Sequence, residues 1–294
     1  MFVIYLIIGI SLISLILGSI FDLKSGEIPE VISRTFIFLI FLLAFIESIA
    51  DSNPSILLES LGIGIIYFLF GYIMFYLGEW GGGDVKLLSG IGLSLGLLGA
   101  EGYFDEMEVF PYFVSYFINM AIVSSPYVII YSFILGLINT EVFEKFKNDL
   151  RNFLMLVAIM ASFLPSIMAN SLGLREIALL YLMIPFLLIL SIYLRAVEKV
   201  ALQKEINVND LKEGDIVAND IIINNKKIAL RRNIEGLTRE QISEIQKLAK
   251  KGEISEVIRI RWGIKFAPIL LFSYLLTVLV GDFLEIIVRI VVGS

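Results

Sequence analysis

Long, nearly uninterrupted apolar blocks, such as Phe2–Phe21 and Ile56–Leu77, follow one another along this chain and leave it few ways to fold. About 20 apolar residues carry a helix across a bilayer, and neither a strand nor a soluble core helix needs so many. Hydropathy predicts spans near residues 2–21, 31–50, 56–77, 87–100, 113–137, 153–171, 176–195 and 266–281, and the apolar pattern of the last continues to about residue 292. Of the 294 residues, 58% are hydrophobic and only 18% charged. Soluble domains sit nearer 45–50% apolar and about 25% charged. The first block lacks a basic flank and exceeds the 7–15 residues of a signal-peptide core, so it is read as a retained span. The predicted fold class is an all-α polytopic membrane protein of about eight transmembrane helices, with a small cytoplasmic α+β module. The fourth span is short but carries Gly90, Gly92, Gly96 and Gly99. Small residues at such spacing let helix backbones approach closely in lipid.

Lys and Arg orient the spans, because cytoplasmic loops retain positive charge. With the amino terminus outside, the cytoplasmic segments hold 21 of the 23 basic residues, leaving only Arg175 and Arg289 on the other side. The opposite orientation inverts that ratio and makes the loop Glu101–Pro111, with four acids and no base, cytoplasmic. Residues 199–265 form the one long polar stretch. There Ile221–Ile223, Asn224-Asn225 and Lys227–Arg231 predict a hairpin, since Asn tolerates the positive φ of tight turns. Thr238 and Gln241 predict a capping box for a helix to about Lys251, and Glu256–Arg261 a strand. The expected organisation is a membrane catalytic core over 1–137, further transmembrane helices over 138–198, the cytoplasmic module over 199–265 and a last transmembrane helix over 266–294.

The chain has no Cys and no His, which removes thiol catalysis, a His general base, disulfides and Cys/His zinc sites. Acids at membrane boundaries are costly and therefore draw attention. Glu47, Asp51 and Glu59 flank the second loop and read as solvated. Glu285 and Arg289 have the spacing of a helical ion pair, and the acids of 141–149 interleave with bases as on a surface helix. Two acids resist such readings. Asp22 ends the first span in Phe21-Asp22-Leu23-Lys24-Ser25-Gly26-Glu27-Ile28-Pro29, and Asp84 closes Gly81-Gly82-Gly83-Asp84 at the start of the fourth. The charge-derived topology puts both at the cytoplasmic face at similar depth. Two carboxylates in a partly dry site share a proton, and the pair can then act as base toward water and acid toward a carbonyl. Gly81, Gly82 and Gly83 would let a substrate strand pass close to Asp84. The alternative is that Asp84 caps the fourth helix and Asp22 only marks a boundary. The residues alone leave both readings open.

Together, the segment Asp22 to Pro29 and Gly81-Gly82-Gly83-Asp84-Val85-Lys86-Leu87 resemble the type IV prepilin peptidases, aspartic membrane proteases with a Gly-x-Gly-Asp motif. Lacking the bacterial cysteine-rich segment, the chain is more similar to the archaeal branch, the preflagellin and archaeal prepilin peptidases. The resemblance covers about residues 1–135, and Pro268–Asp282 is similar to the family's last span. Glu30 stands where bacterial members usually carry Asn, and the segment 139–265 is longer than in compact archaeal members. The resemblance implies cleavage of a short basic leader from pilin or archaellin precursors at the cytoplasmic face, with Asp22 and Asp84 as the catalytic pair. It implies no cofactor and no metal. The expected partners are the leader-bearing precursors and membrane lipids, not nucleic acid. No methyl-donor site is evident. Glu27, Glu30 and Glu79, in the two loops that carry the pair, are candidates for reading the positive charge of the leader.

Four other readings compete. Lys86 and Ser89 have the spacing of a Ser-Lys dyad, but Lys86 is read as snorkelling to the interface. Presenilin-type proteases share Gly-x-Gly-Asp, and Ala267-Pro268 is distantly similar to their proline motif, but their first Asp lies inside a span. A transporter would show paired repeats, and none is visible. A scaffold subunit would use 199–265 for docking.

Overall fold

The computed structural model describes residues 1–104, 110–223, 226–230, 236–261 and 263–292. Five long helices come first: α1 (Phe2–Ser25), α2 (Glu30–Ala50), α3 (Pro54–Tyr76), α4 (Gly82–Ala100) and α5 (Tyr112–Ile138). After the short α6 (Thr140–Leu150), two apolar segments follow. One comprises α7 (Phe153–Ser162) and α8 (Leu164–Ser171), the other α9 (Arg175–Tyr181) and α10 (Met183–Val200). The polar stretch holds β1 (Gln203–Asn207), β2 (Ile221–Ile223), β3 (Lys226–Ala229), α11 (Arg239–Lys250) and β4 (Val257–Arg261). The chain closes with α12 (Ala267–Val280) and α13 (Phe283–Val292). Among the described residues, seven helical segments are long and apolar enough to cross a membrane, and eight if the bent pair α12–α13 counts as one. The protein is thus a polytopic all-α membrane protein with a small β-containing module.

Contacts divide the chain into two compact units, Met1–Tyr127 with Gly263–Ser294, and Val128–Trp262; the division falls inside α5. In the first unit α4 is the central helix, with most of its span buried where α1, α2 and α3 bury about a third or less of theirs. Its glycines make this possible. A methyl on Gly96 would lie 2.7 Å from Ser60 Cα and 2.9 Å from the Glu59 carbonyl oxygen, and one on Gly92 would lie 2.9 Å from the Ile63 carbonyl. Gly90 leaves room for the Phe36 ring, and Gly99 for the Tyr112 hydroxyl. Hydrogen bonds cross the same contacts. Ser60 donates to the Leu93 carbonyl at 2.9 Å, and Ser94 joins Ser11 of α1 and the Tyr274 hydroxyl of α12, both at 2.8 Å. Buried hydroxyls without water need such partners, so each bond fixes the rotation of a helix.

α12 ends at Val280, and the helix does not run straight on to residue 292. α12 and α13 meet at 60°. Gly281 has φ 84° and ψ −128°, a conformation that side chains disfavour. Asp282 then caps α13, its Oδ1 accepting the N–H groups of Leu284 (3.0 Å) and Glu285 (3.3 Å). The expected Glu285–Arg289 pair forms at 2.6 Å.

In the second unit α6 packs on α10 through Val142, Tyr193, Ala196 and Val197, and Tyr193 donates to the Ser132 carbonyl at 3.0 Å. The polar module pairs β1 with β4 antiparallel, from Gln203↔Arg261 to Asn207↔Val257, and β2 with β3. Val208, Leu211, Val217, Ile228, Ile245 and Ile260 fill its core. The capping box is present: Gln241 N–H donates to Thr238 Oγ1 at 3.3 Å and Thr238 N–H to Gln241 Oε1 at 3.0 Å. The Asn224-Asn225 turn lies outside the described residues. So does Arg231, and β3 ends at Ala229. β1 has no hydrophobic alternation to announce it; pairing with β4 makes it a strand.

Candidate active site

The backbone sets Asp22 at the end of its helix. Gly26 has φ 75° and donates to the Asp22 carbonyl at 2.8 Å, the left-handed closure that ends α1. Pro29 precedes α2, so Asp22 sits in a last helical turn beside a tight connection. Its side chain is only 7% exposed. The carboxylate Oδ2 accepts the Ala267 N–H at 3.0 Å. That N–H is one of the donors left unpaired at the start of α12, where a negative charge is favoured. Asp22 thus caps a helix from far along the chain.

Asp84 lies in the first turn of α4. Its Oδ2 reaches back to the Gly81 N–H at 3.1 Å, so the helix-capping role is real. Its other oxygen, Oδ1, is buried without a hydrogen-bond partner. Buried polar atoms are rarely orphaned, so an unpaired carboxylate oxygen here calls for an explanation. The Asp22 carboxylate lies close enough to act on Asp84 electrostatically. Capping therefore uses one Asp84 oxygen and leaves the other free of a hydrogen bond.

The space around the three glycines is unequal. A methyl on Gly83 would lie 2.9 Å from Ile28 Cβ, so Gly83 brings the Ile28-Pro29 turn against α4. At Gly82 the nearest atom to such a methyl is in the Phe75 ring at 4.0 Å, and Gly81 would meet only the Asp84 carboxylate. Glu27 and Glu79 are exposed. Glu30 differs: it pairs with Lys86 at 2.7 Å and with Arg34 one turn on. It braces the start of α2 to α4, two residues past Asp84. That pairing also accounts for Lys86, while Ser89 donates to the Val85 carbonyl at 2.7 Å, so the two do not form a Ser-Lys dyad.

Sequence reasoning missed the third wall. The Phe266 ring packs on Trp80 of the Asp84 loop, with centroids 4.5 Å apart, and Trp80 meets Phe70 edge-on. Lys265 is 7% exposed and acts electrostatically on both Asp22 and Asp84. Its carbonyl accepts the Tyr127 hydroxyl at 2.9 Å. The only signal was a lysine just before an apolar span that opens with Ala-Pro.

Glu47, Asp51 and Glu101 gather at the other ends of α2 and α4, their ligand atoms within 4.8 Å of one another. Glu59, read as solvated, accepts the Tyr112 hydroxyl at 2.6 Å.

Residues 9–140, which carry both aspartates and all three glycines, match the type IV leader peptidase family. Residues 179–234 match the archaeal peptidase A24 C-terminal domain. The chain belongs to the type IV leader peptidase family. Neither a curated protein nor a solved structure matches it. This leader peptidase is accordingly a membrane aspartic endopeptidase of the prepilin and preflagellin peptidase group, acting on leader peptides of pilin-like precursors. The second match accounts for much of the long segment after α6: it is a recognised domain of archaeal leader peptidases rather than an interruption of the fold.

Proposed function

We propose that Asp22 and Asp84 are the catalytic pair of this peptidase, working at the cytoplasmic face on a short basic leader. The observation that supports the pairing is the buried, unpartnered Oδ1 of Asp84 within the field of the Asp22 carboxylate. With one proton between them, the ionised carboxylate takes a proton from a water whose oxygen attacks the scissile carbonyl. The protonated partner gives its proton to the carbonyl oxygen. Collapse of the tetrahedral diol breaks the C–N bond as the amine takes the proton first removed from water. The second carboxylate meanwhile takes back a hydroxyl proton from the diol, leaving a free carboxyl and the pair again with one proton. The open side of Gly82 is where an extended substrate backbone can approach.

Orientation rests on charge: the amino terminus outside, with the catalytic loops and residues 199–265 cytoplasmic, where 21 of 23 basic residues collect. Glu27, Glu30 and Glu79, the three acids of these loops, would meet a basic leader; Glu30 also pairs with Lys86 and Arg34. Co-expression with tagged, leader-bearing pilin and archaellin precursors tests the reading by gel shift. Wild type trims them, and Asp22→Asn and Asp84→Asn do not. Exposed charge pairs are weak, so Glu27→Lys with Glu79→Lys should slow trimming of a basic leader a few-fold, more at low salt, and spare a neutralised leader. Equal losses on both leaders would remove the acids from recognition.

A further inference from the structure

A lysine inside a protein is expensive unless its charge is matched. Lys265 is 7% exposed, its backbone lies two residues before the N–H that Asp22 binds, and its charge acts on both carboxylates. The surrounding contacts hold it there. The Lys265 carbonyl is bound by Tyr127, the Phe266 ring stacks on Trp80, and the Ala267 N–H is bound by Asp22. Three consecutive residues are thus tied to α5, to the Asp84 loop and to α1. Charge counting gives the consequence. Two ionised carboxylates and one ammonium leave the site at −1, and two protonated carboxyls leave it at +1. One shared proton makes the cluster neutral, the cheapest state in a medium of low dielectric. That is also the state hydrolysis needs.

We infer that Lys265 is the positioning residue of the catalytic pair, its buried ammonium holding Asp22 and Asp84 at one shared proton. This rests on the assignment of those two acids as catalytic. Among the described residues, Asp22 acts on Asp84 and Lys265 acts on both, while Lys86 is engaged with Glu30. Removing the ammonium favours protonation at both carboxylates, so both limbs of the pH–rate profile move to higher pH. An opposite charge at this range moves such limbs by about one unit or more.

The test is the pH dependence of kcat/KM for the full-length enzyme in detergent, on a purified precursor that the wild type cleaves. Lys265→Met should shift both limbs upward and lower the rate at neutral pH at least several-fold, while Lys265→Arg should restore the wild-type limbs. Lys265→Gln serves as a second neutral variant should the Met form unfold, with size-exclusion profile and melting temperature checked for each. A folded neutral variant with wild-type limbs overturns the inference, whatever its rate. So does an Arg variant whose limbs match those of the neutral forms. Asp22→Asn and Asp84→Asn are run alongside. Wild-type turnover in either means the catalytic assignment itself has failed; inactivity in both beside unshifted limbs means only the lysine inference has.

Discussion

For individual residues, the division of labour within Asp84 sets the expectations. Groups that act as one unit lose nearly everything when either is removed. Asp22→Asn and Asp84→Asn should each abolish cleavage, with the double variant hardly worse, as measured by precursor trimming at matched expression. Glu285→Gln, whose partner is Arg289 on α13, should leave most activity. Near-normal turnover in either Asn variant would remove the shared-proton mechanism. A second acid makes a separate point. Burial, reinforced by the charges of Glu47 and Asp51, holds the Glu101 carboxyl above the usual carboxylate range. An acid raised in the folded state binds its proton more tightly there. It adds stability at low pH and loses that contribution as pH rises through the folded value. Glu101→Gln should therefore raise the melting temperature at pH 7, with the gain fading below about pH 4. A lower melting temperature at pH 7 would mean that the carboxylate is needed to hold the end of α4.

Among the elements, α4 is the least tolerant of change. Gly96 faces the backbone of α3 at Ser60 and Glu59, where nothing flexible can move aside. Gly96→Ala should cost about 1–3 kcal/mol, the range for overpacking a close contact, read as a lower melting temperature in detergent. Gly62, where an added methyl would meet nothing within 4 Å, is the control. Gly62→Ala should be neutral or slightly stabilising, because alanine favours the helix. Equal losses at both positions would mean that close contact with α3 is not what makes Gly96 intolerant of a side chain. The glycine spacing in the fourth span was legible because close approach needs small residues wherever the partner lies. The bend at Gly281 was not, since an apolar run reads the same whether it is straight or broken. Asp282 and Asn119, far apart in sequence, settle it: Asn119 donates to the Gly281 carbonyl at 2.8 Å.

For the molecule as a whole, the expectation to test is the side of the membrane. The chain has no cysteine, so a single Glu253→Cys reports the polar module without background. In sealed cells it should resist a membrane-impermeant thiol reagent and react only after lysis. Labelling from outside would invert the topology and put the catalytic loops on the wrong face for a cytoplasmic leader. Of the two family matches, the first carries the aspartates and the second reaches from α9 into the polar module.

Residue order alone establishes that this chain crosses a membrane many times and that its chemistry uses neither Cys nor His. It also singles out Asp22 and Asp84. Length, hydropathy and residue type are local properties, and the lipid's demand for satisfied backbone groups makes them decisive. It takes the packing of the helices to show that one Asp84 oxygen caps α4 while the other stays unpaired, that Glu30 pairs with Lys86, and that Lys265 is buried where its charge acts on both aspartates. Each depends on which side chains meet across helices remote in the chain. In a low-dielectric interior, those meetings set the energy of every charge.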